Sequence, residues 1–160
     1  MSNMFIQFPG ITGNVTSANH VGWVAVDSVD FGVQRKVSTN VGRVSDREGS
    51  IPNFTELTLY KSLDKSTPYL FQAFCKHTVM NQVELDVCST GANLDPYVKY
   101  TLSNVVVSSH QHFIRADATP SEEVKLNFTK ISISYIGRDA AHKPSSPITA
   151  GYDLETAKTL

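Results

Sequence analysis

Apolar and polar residues alternate over several short windows of the chain, each bounded by Gly, Pro, Asn or Asp, and a period of two predicts β-strands. Val83, Leu85 and Val87 alternate with Gln82, Glu84 and Asp86, so a strand here should bury one face and wet the other. Cys88 then falls on the wet face. Phe54 to Lys61 repeats the pattern with Leu57 and Leu59 inward, and Val21 to Gln34, carrying Trp23, Val24 and Val26, suits one bent strand or two paired ones. Between Val124 and Ile136 the phase changes: Val124, Leu126 and Phe128 are apolar at even positions, Ile131, Ile133 and Tyr135 at odd ones. A strand cannot switch its buried face without a bulge or a passage between packing layers, so a break is expected near Lys130. Tyr97 to Ser109 is likewise long and mixed. Both features favour a closed or two-layered β architecture over a flat sheet.

One helix interrupts the strands. LDKSTPYLFQAFCKH supplies Ser66 or Thr67 as N-cap, Pro68 in the first turn, and Lys76 and His77 at the negative end of the dipole, so the helix should run from about Thr67 to Lys76. Leu70, Phe71, Phe74 and Cys75 share a face expected to pack on the sheet, leaving Tyr69, Gln72 and Lys76 towards water. Residues 35–50 and 137–151 show no periodicity and are read as loops; a loop of about 16 residues is uncommon in a compact domain and is usually either disordered or functional.

Composition narrows the classes. At 160 residues the chain fits one domain with a real core. Lys plus Arg total 14 against 15 Asp plus Glu, which removes the electrostatic argument for nucleic acid or a membrane surface as partner. No apolar run approaches the roughly 20 residues that span a bilayer, and Met1 to Gly10 lacks the basic and apolar regions of a cleavable signal, pointing to synthesis as a cytoplasmic protein. Charged residues are 18% of the chain, low enough to suggest that some surface meets protein rather than water. Cys75 and Cys88, one expected in the core and one on the wet face, are read as two reduced thiols.

Chemistry is sought without success. The sequence has no GxSxG elbow, phosphate-cradling Gly loop, HExxH or zinc-type Cys/His cluster, so no catalytic residue, metal or cofactor is assigned. His110 and His112 lie two apart, hence on one strand face, but no third ligand is apparent and they read as exposed strand-end histidines. Glu122 and Glu123 read as a solvated strand start.

Taken in order, MFIQFPGITG, WVAVDSVDFG, LDKSTPYLFQAFCKH, YTLSNVVVSS, VKLNFTKISISY and the terminal GYDL resemble the haemolysin-coregulated protein (Hcp) family, the tube subunit of the bacterial type VI secretion system. The likeness spans essentially the whole chain, 1–160 as one domain. It implies two antiparallel sheets closing into a small β-barrel or sandwich with one flanking helix. It also implies a homohexameric ring, with rings stacked into a hollow tube that a contractile sheath propels. Partners implied are further copies of the chain, a spike protein, sheath and baseplate proteins, and small effectors in the lumen; the subunit would wait in the cytoplasm and then be secreted by firing. DSVDFG matches a lumen-facing stretch of the family, which makes Asp30, and less strongly Ser28, lumen candidates. Phe31 and Tyr152 stand where Trp is frequent, and both keep an aromatic. The loop 35–50, which in the family reaches the next ring and is often Gly-rich, here carries Arg35, Lys36, Arg43, Asp46, Arg47 and Glu48, implying a partly electrostatic stacking contact. A phage tail-tube protein shares this mechanical logic. A secreted β-sandwich hydrolase or sugar-binding module is disfavoured by the lone Trp and the absent signatures.

Overall fold

The computed structural model describes residues 3–36, 51–90, 94–141 and 143–160. Among these, the alternating segments form β1 (Met4–Gln7), β2 (Val24–Val26), β3 (Ser28–Asp30), β4 (Val33–Gln34), β5 (Asn53–Phe54) and β6 (Leu57–Ser62). The helix α1 (Thr67–Lys76) follows, then β7 (Met80–Cys88), β8 (Pro96–Phe113), β9 (Ser121–Asn127), β10 (Lys130–Tyr135), β11 (Ile148–Asp153) and β12 (Lys158–Thr159). All ladders are antiparallel.

The long β8 belongs to two sheets. Its first part pairs with β7 on one side and β10 on the other, within the order β12-β11-β10-β8-β7-β1-β2; its second part pairs with β9, which continues to β6 and β3. The transfer occurs at Asn104, whose φ of 51° is left-handed; Asn residues tolerate that region better than β-branched ones. The Asn104 amide donates to the Thr129 hydroxyl (3.1 Å), and the Thr129 N–H donates to the Ser103 carbonyl (3.1 Å). Thr129 lies in the gap between β9 and β10, so the phase change expected near Lys130 is the same corner on the neighbouring strand.

The mainly β, two-sheet, one-helix architecture expected from the sequence is found, but the closed barrel is not. Among the described residues no ladder joins β2 to β3, the ends of the path, which are successive segments of one run turning at Asp27. The inner faces of both sheets, with Leu70 and Ala73 of α1, enclose one core of Ile6, Phe8, Val24, Leu57, Leu59, Val83, Leu85, Leu102, Val124 and Leu126 among others.

Three expectations are corrected. On α1, Leu70 and Ala73 are buried, whereas Phe71 and Phe74 remain 56% and 42% exposed and Cys75 is exposed. The small Ala73, one turn from Leu70, brings the helix close to the sheet and leaves the rings at the margin of the contact. Ser66 is the N-cap residue, yet its hydroxyl bonds the Asp64 carboxylate rather than a helix N–H. On β7, Asp86 and Cys88 are buried rather than wet. Residues 13–23 fold back on themselves, with the Gly13 N–H on the Gly22 carbonyl (2.8 Å) and the Val15 N–H on the Trp23 carbonyl (3.2 Å), and place His20 over that face. Finally, Ile148–Gly151, read as the end of a loop, is the first part of strand β11, ordered by its ladder with β10.

Candidate functional site

The outer face of β3, β6, β9 and the far part of β8 is mainly polar, with Phe113 exposed at its far end beside Ser121 and Ser62. Ladder register places Asp30, Thr58, Lys125 and Ser109 in one row, and Ser28, Tyr60, Glu123 and Gln111 in the next. Asp30 and Ser28, the two lumen candidates, are both exposed there. Alternation explains the chemistry: their strand neighbours Leu57, Leu59, Val124 and Leu126 point the other way into the core.

The inner face behaves differently at the β10–β11 end. Its apolar rows run past the opposing sheet: Val87, Val98, Tyr135 and Ile148 are register partners, as are Leu85, Tyr100, Ile133 and Ala150. Tyr135 and Ile148 are 53% and 75% exposed. An apolar sheet face continuous with the core but uncovered is the signature of a surface made for another protein. Beside it, Phe31, Val33, Phe54, Ile131 and Tyr152 line a groove of about 180 Å³. Phe54 stacks on Tyr152 (5.2 Å) and meets Phe31 (6.3 Å), so these rings tie the GYDL segment to the core.

The β4–β5 pair, Val33 opposite Phe54 and Gln34 opposite Asn53, forms the base from which the long loop departs. Arg35 and Lys36 are exposed at that base, Arg35 in an open groove with Tyr152, Lys158 and Thr159. Arg43, Asp46, Arg47 and Glu48 lie outside the described residues.

A buried polar cluster was missed by the sequence reading. Glu122 is not a solvated strand start but wholly buried, opposite the equally buried Lys61 in the β6–β9 ladder, with Lys61 Nζ 2.6 Å from Glu122 Oε1. Lys61 also donates to Asp64 Oδ1 (3.1 Å) and to the Ser62 carbonyl (3.0 Å). On the other side of the carboxylate stand His110 and His112. Burial pushes the Glu122 carboxyl up, but the polar side chains of His110 and Lys61 beside it, the Lys61 charge and the nearby Thr67 hydroxyl outweigh it and hold the group down at about 2.

A second cluster has the composition of a nucleophilic triad without its geometry. Cys88 Sγ lies 3.8 Å from His20 Nε2, and the same nitrogen is 2.9 Å from Asp86 Oδ2. A relay needs the cysteine on one ring nitrogen and the carboxylate on the other. Here both compete for one, while the ring is held between Phe5 and Trp23. Burial, reinforced by the charges of Asp86 and Asp95 against the smaller pull of Lys99, raises the Cys88 thiol from 9.0 to about 11. Titration of the native chain with a thiol reagent at neutral pH should therefore modify Cys75 alone, and both cysteines after denaturation. Fast native modification of Cys88 would contradict this. Because the folded thiol holds its proton to higher pH than the unfolded one, its contribution to stability is complete below about pH 9 and is lost between about 9 and 11.

Known proteins place these surfaces in context. The sequence profile of a family described as "Type VI secretion system effector, Hcp" matches residues 5–135. The chain belongs to the Hcp family. Similar solved structures include one described as a type six secretion system protein, at 20% identity and a TM-score of 0.91, covering 98% of each chain. Hcp1 from Salmonella typhimurium is 24% identical with a TM-score of 0.77, covering 98% of this chain and 97% of that one. A type VI secretion system effector from Yersinia pestis is 19% identical with a TM-score of 0.75, covering 94% and 98%. At these identities the likeness shows a common fold. No match is found among curated protein sequences.

Proposed function

We propose that this chain is the tube subunit of a type VI secretion system, acting through contacts with its own copies. The observation that carries the proposal is the division of its sheet surfaces: one face mainly polar, with Tyr60 and Phe113 its exposed rings, the other an uncovered extension of the core at Tyr135, Ile133 and Ile148. Six copies would close a ring through the apolar face, each offering one surface to the next in a heterologous contact. The polar face bearing Asp30 and Ser28 would line the interior, wetting small effectors without trapping them. Rings would stack through the loop that leaves β4 and returns at β5, with Arg35 and Lys36 at its base. A net charge of −1 lets six copies approach without strong mutual repulsion. The tube would assemble in the cytoplasm on a baseplate, carry a spike protein at its tip, and leave the cell when the sheath contracts. The role is structural and involves no reaction.

Native mass spectrometry with negative-stain imaging tests this. The expected result is a species of six chain masses with an annular outline. Asp30→Lys should keep that assembly while altering which small effector co-purifies. Single chains at every concentration would remove the ring, and unchanged effector retention by the assembled variant would remove the lumen assignment of Asp30.

A further inference from the structure

Three donor atoms from two strands meet beside Lys61. The β-bulge between Val107 and Ser109 shifts the phase of β8, turning His110 and His112 towards the interior, with His112 directly opposite Glu122 and His110 opposite Val124. His110 Nε2 and His112 Nε2 are 3.1 Å apart, and Glu122 Oε2 lies 3.4 Å from the first and 3.9 Å from the second. A tetrahedral zinc ion with bonds of about 2.0–2.1 Å holds its donors about 3.3 Å apart, so the triangle has the dimensions of a single ion.

We infer that His110, His112 and Glu122 form a binding site for a divalent cation of the zinc class, with two imidazole nitrogens and one carboxylate oxygen as ligands and a fourth position open to water.

Two further features point the same way. Glu122 Oε2 is fully buried and, among the described residues, makes no hydrogen bond of normal geometry, its nearest imidazole nitrogen being 3.4 Å away; Oε1 is taken by Lys61. A buried carboxylate oxygen without a partner is costly, and a cation satisfies it. The local charges also allow it: Lys61 offsets one of the two carboxylates it touches, Asp64 and Glu122, so with neutral imidazoles the cluster carries a net negative charge. The way in is from solvent past His112, whose side chain is 37% exposed, whereas those of His110 and Glu122 are 2% and 0% exposed. Two imidazoles with one carboxylate favour zinc and its neighbours over calcium or magnesium, which prefer all-oxygen sets. Bound there, the ion would pin the β8–β9 hairpin to the Lys61 end of β6, and this holds whether or not the chain forms tubes.

The experiment is calorimetric titration of zinc chloride into the full chain, stripped with chelator and carrying Cys75→Ser to remove the exposed thiol. One ion per chain is expected, with binding weakened at least roughly 100-fold in His112→Ala, beyond the loss typical of removing an outer-shell partner. Zinc at 100-fold over its dissociation constant should raise the melting temperature by roughly 5–10 °C in the parent and not in the variant. His112→Gln, checked for native circular dichroism, covers the case in which the alanine variant fails to fold. Cobalt in place of zinc should give a tetrahedral absorption spectrum that is lost in both variants. No zinc binding at millimolar concentration, or equal binding by parent and His112 variants, overturns the site. So does a zinc-silent chain whose two histidines titrate as a coupled pair, which would assign the cluster to a shared proton.

Discussion

Lys61→Met is expected to destabilise the fold by about 3–5 kcal/mol, measured by urea unfolding in the presence of chelator. The ammonium group is fully buried and holds Glu122, Asp64 and the Ser62 carbonyl at 2.6, 3.1 and 3.0 Å. Methionine keeps the packing of the stem but leaves the Glu122 carboxylate in the interior without its cation, and an uncompensated buried charge is what makes such losses large. The double substitution Lys61→Met with Glu122→Leu should recover most of that loss, because both desolvation penalties then vanish together. A single-variant loss under about 1 kcal/mol would mean that the pair is wetter than its burial indicates.

Ile148→Glu is expected to abolish ring assembly while leaving the subunit folded. The side chain is 75% exposed on β11, so the isolated chain loses almost no packing. In an assembly that covers the Val98–Tyr135–Ile148 row, the same carboxylate would be buried without a partner. Substitutions at the centre of a packed interface commonly cost 2 kcal/mol or more, so subunit affinity should fall at least about 30-fold. Light scattering after size exclusion reads the result: single chains for the variant beside assembled wild type, with matching circular dichroism. Rings of undiminished stability would show that copies meet elsewhere, with the exposed Phe71 and Phe74 of α1 the next surface to test.

Much of the fold was legible because it rests on local periodicity. The helix begins and ends at the expected residues, Thr67 and Lys76, where Pro68 and the basic C-terminal turn mark it. The phase change around Lys130 correctly signals a corner, because a period of two cannot change phase without a break. What escaped depends on partners distant in sequence. Asp86 and Cys88 are covered by a segment around His20 that has no period of its own. Lys61 and Glu122, by contrast, did leave a signal: each stands in the apolar phase of its strand, Lys61 after Leu57 and Leu59, Glu122 before Val124 and Leu126. Reading alternation by position rather than by residue type would have placed both inside. His110 and His112 could not be placed that way, since the bulge that turns them inward has no mark in the sequence. The surfaces proposed for ring and lumen rest on family resemblance, because exposed rows such as Tyr135 and Ile148 carry the same alternation as buried ones.

The 18-residue β8 is stitched into both layers, bending at Asn104 from one to the other. Neither layer can therefore slide or peel without tearing backbone bonds that the other also depends on. A push along the strands is spread over several ladders at once, so failure demands many simultaneous ruptures instead of a sequential unzipping. Such a subunit yields abruptly or not at all, which is what the proposed tube role would ask of a part driven forward as a rigid body.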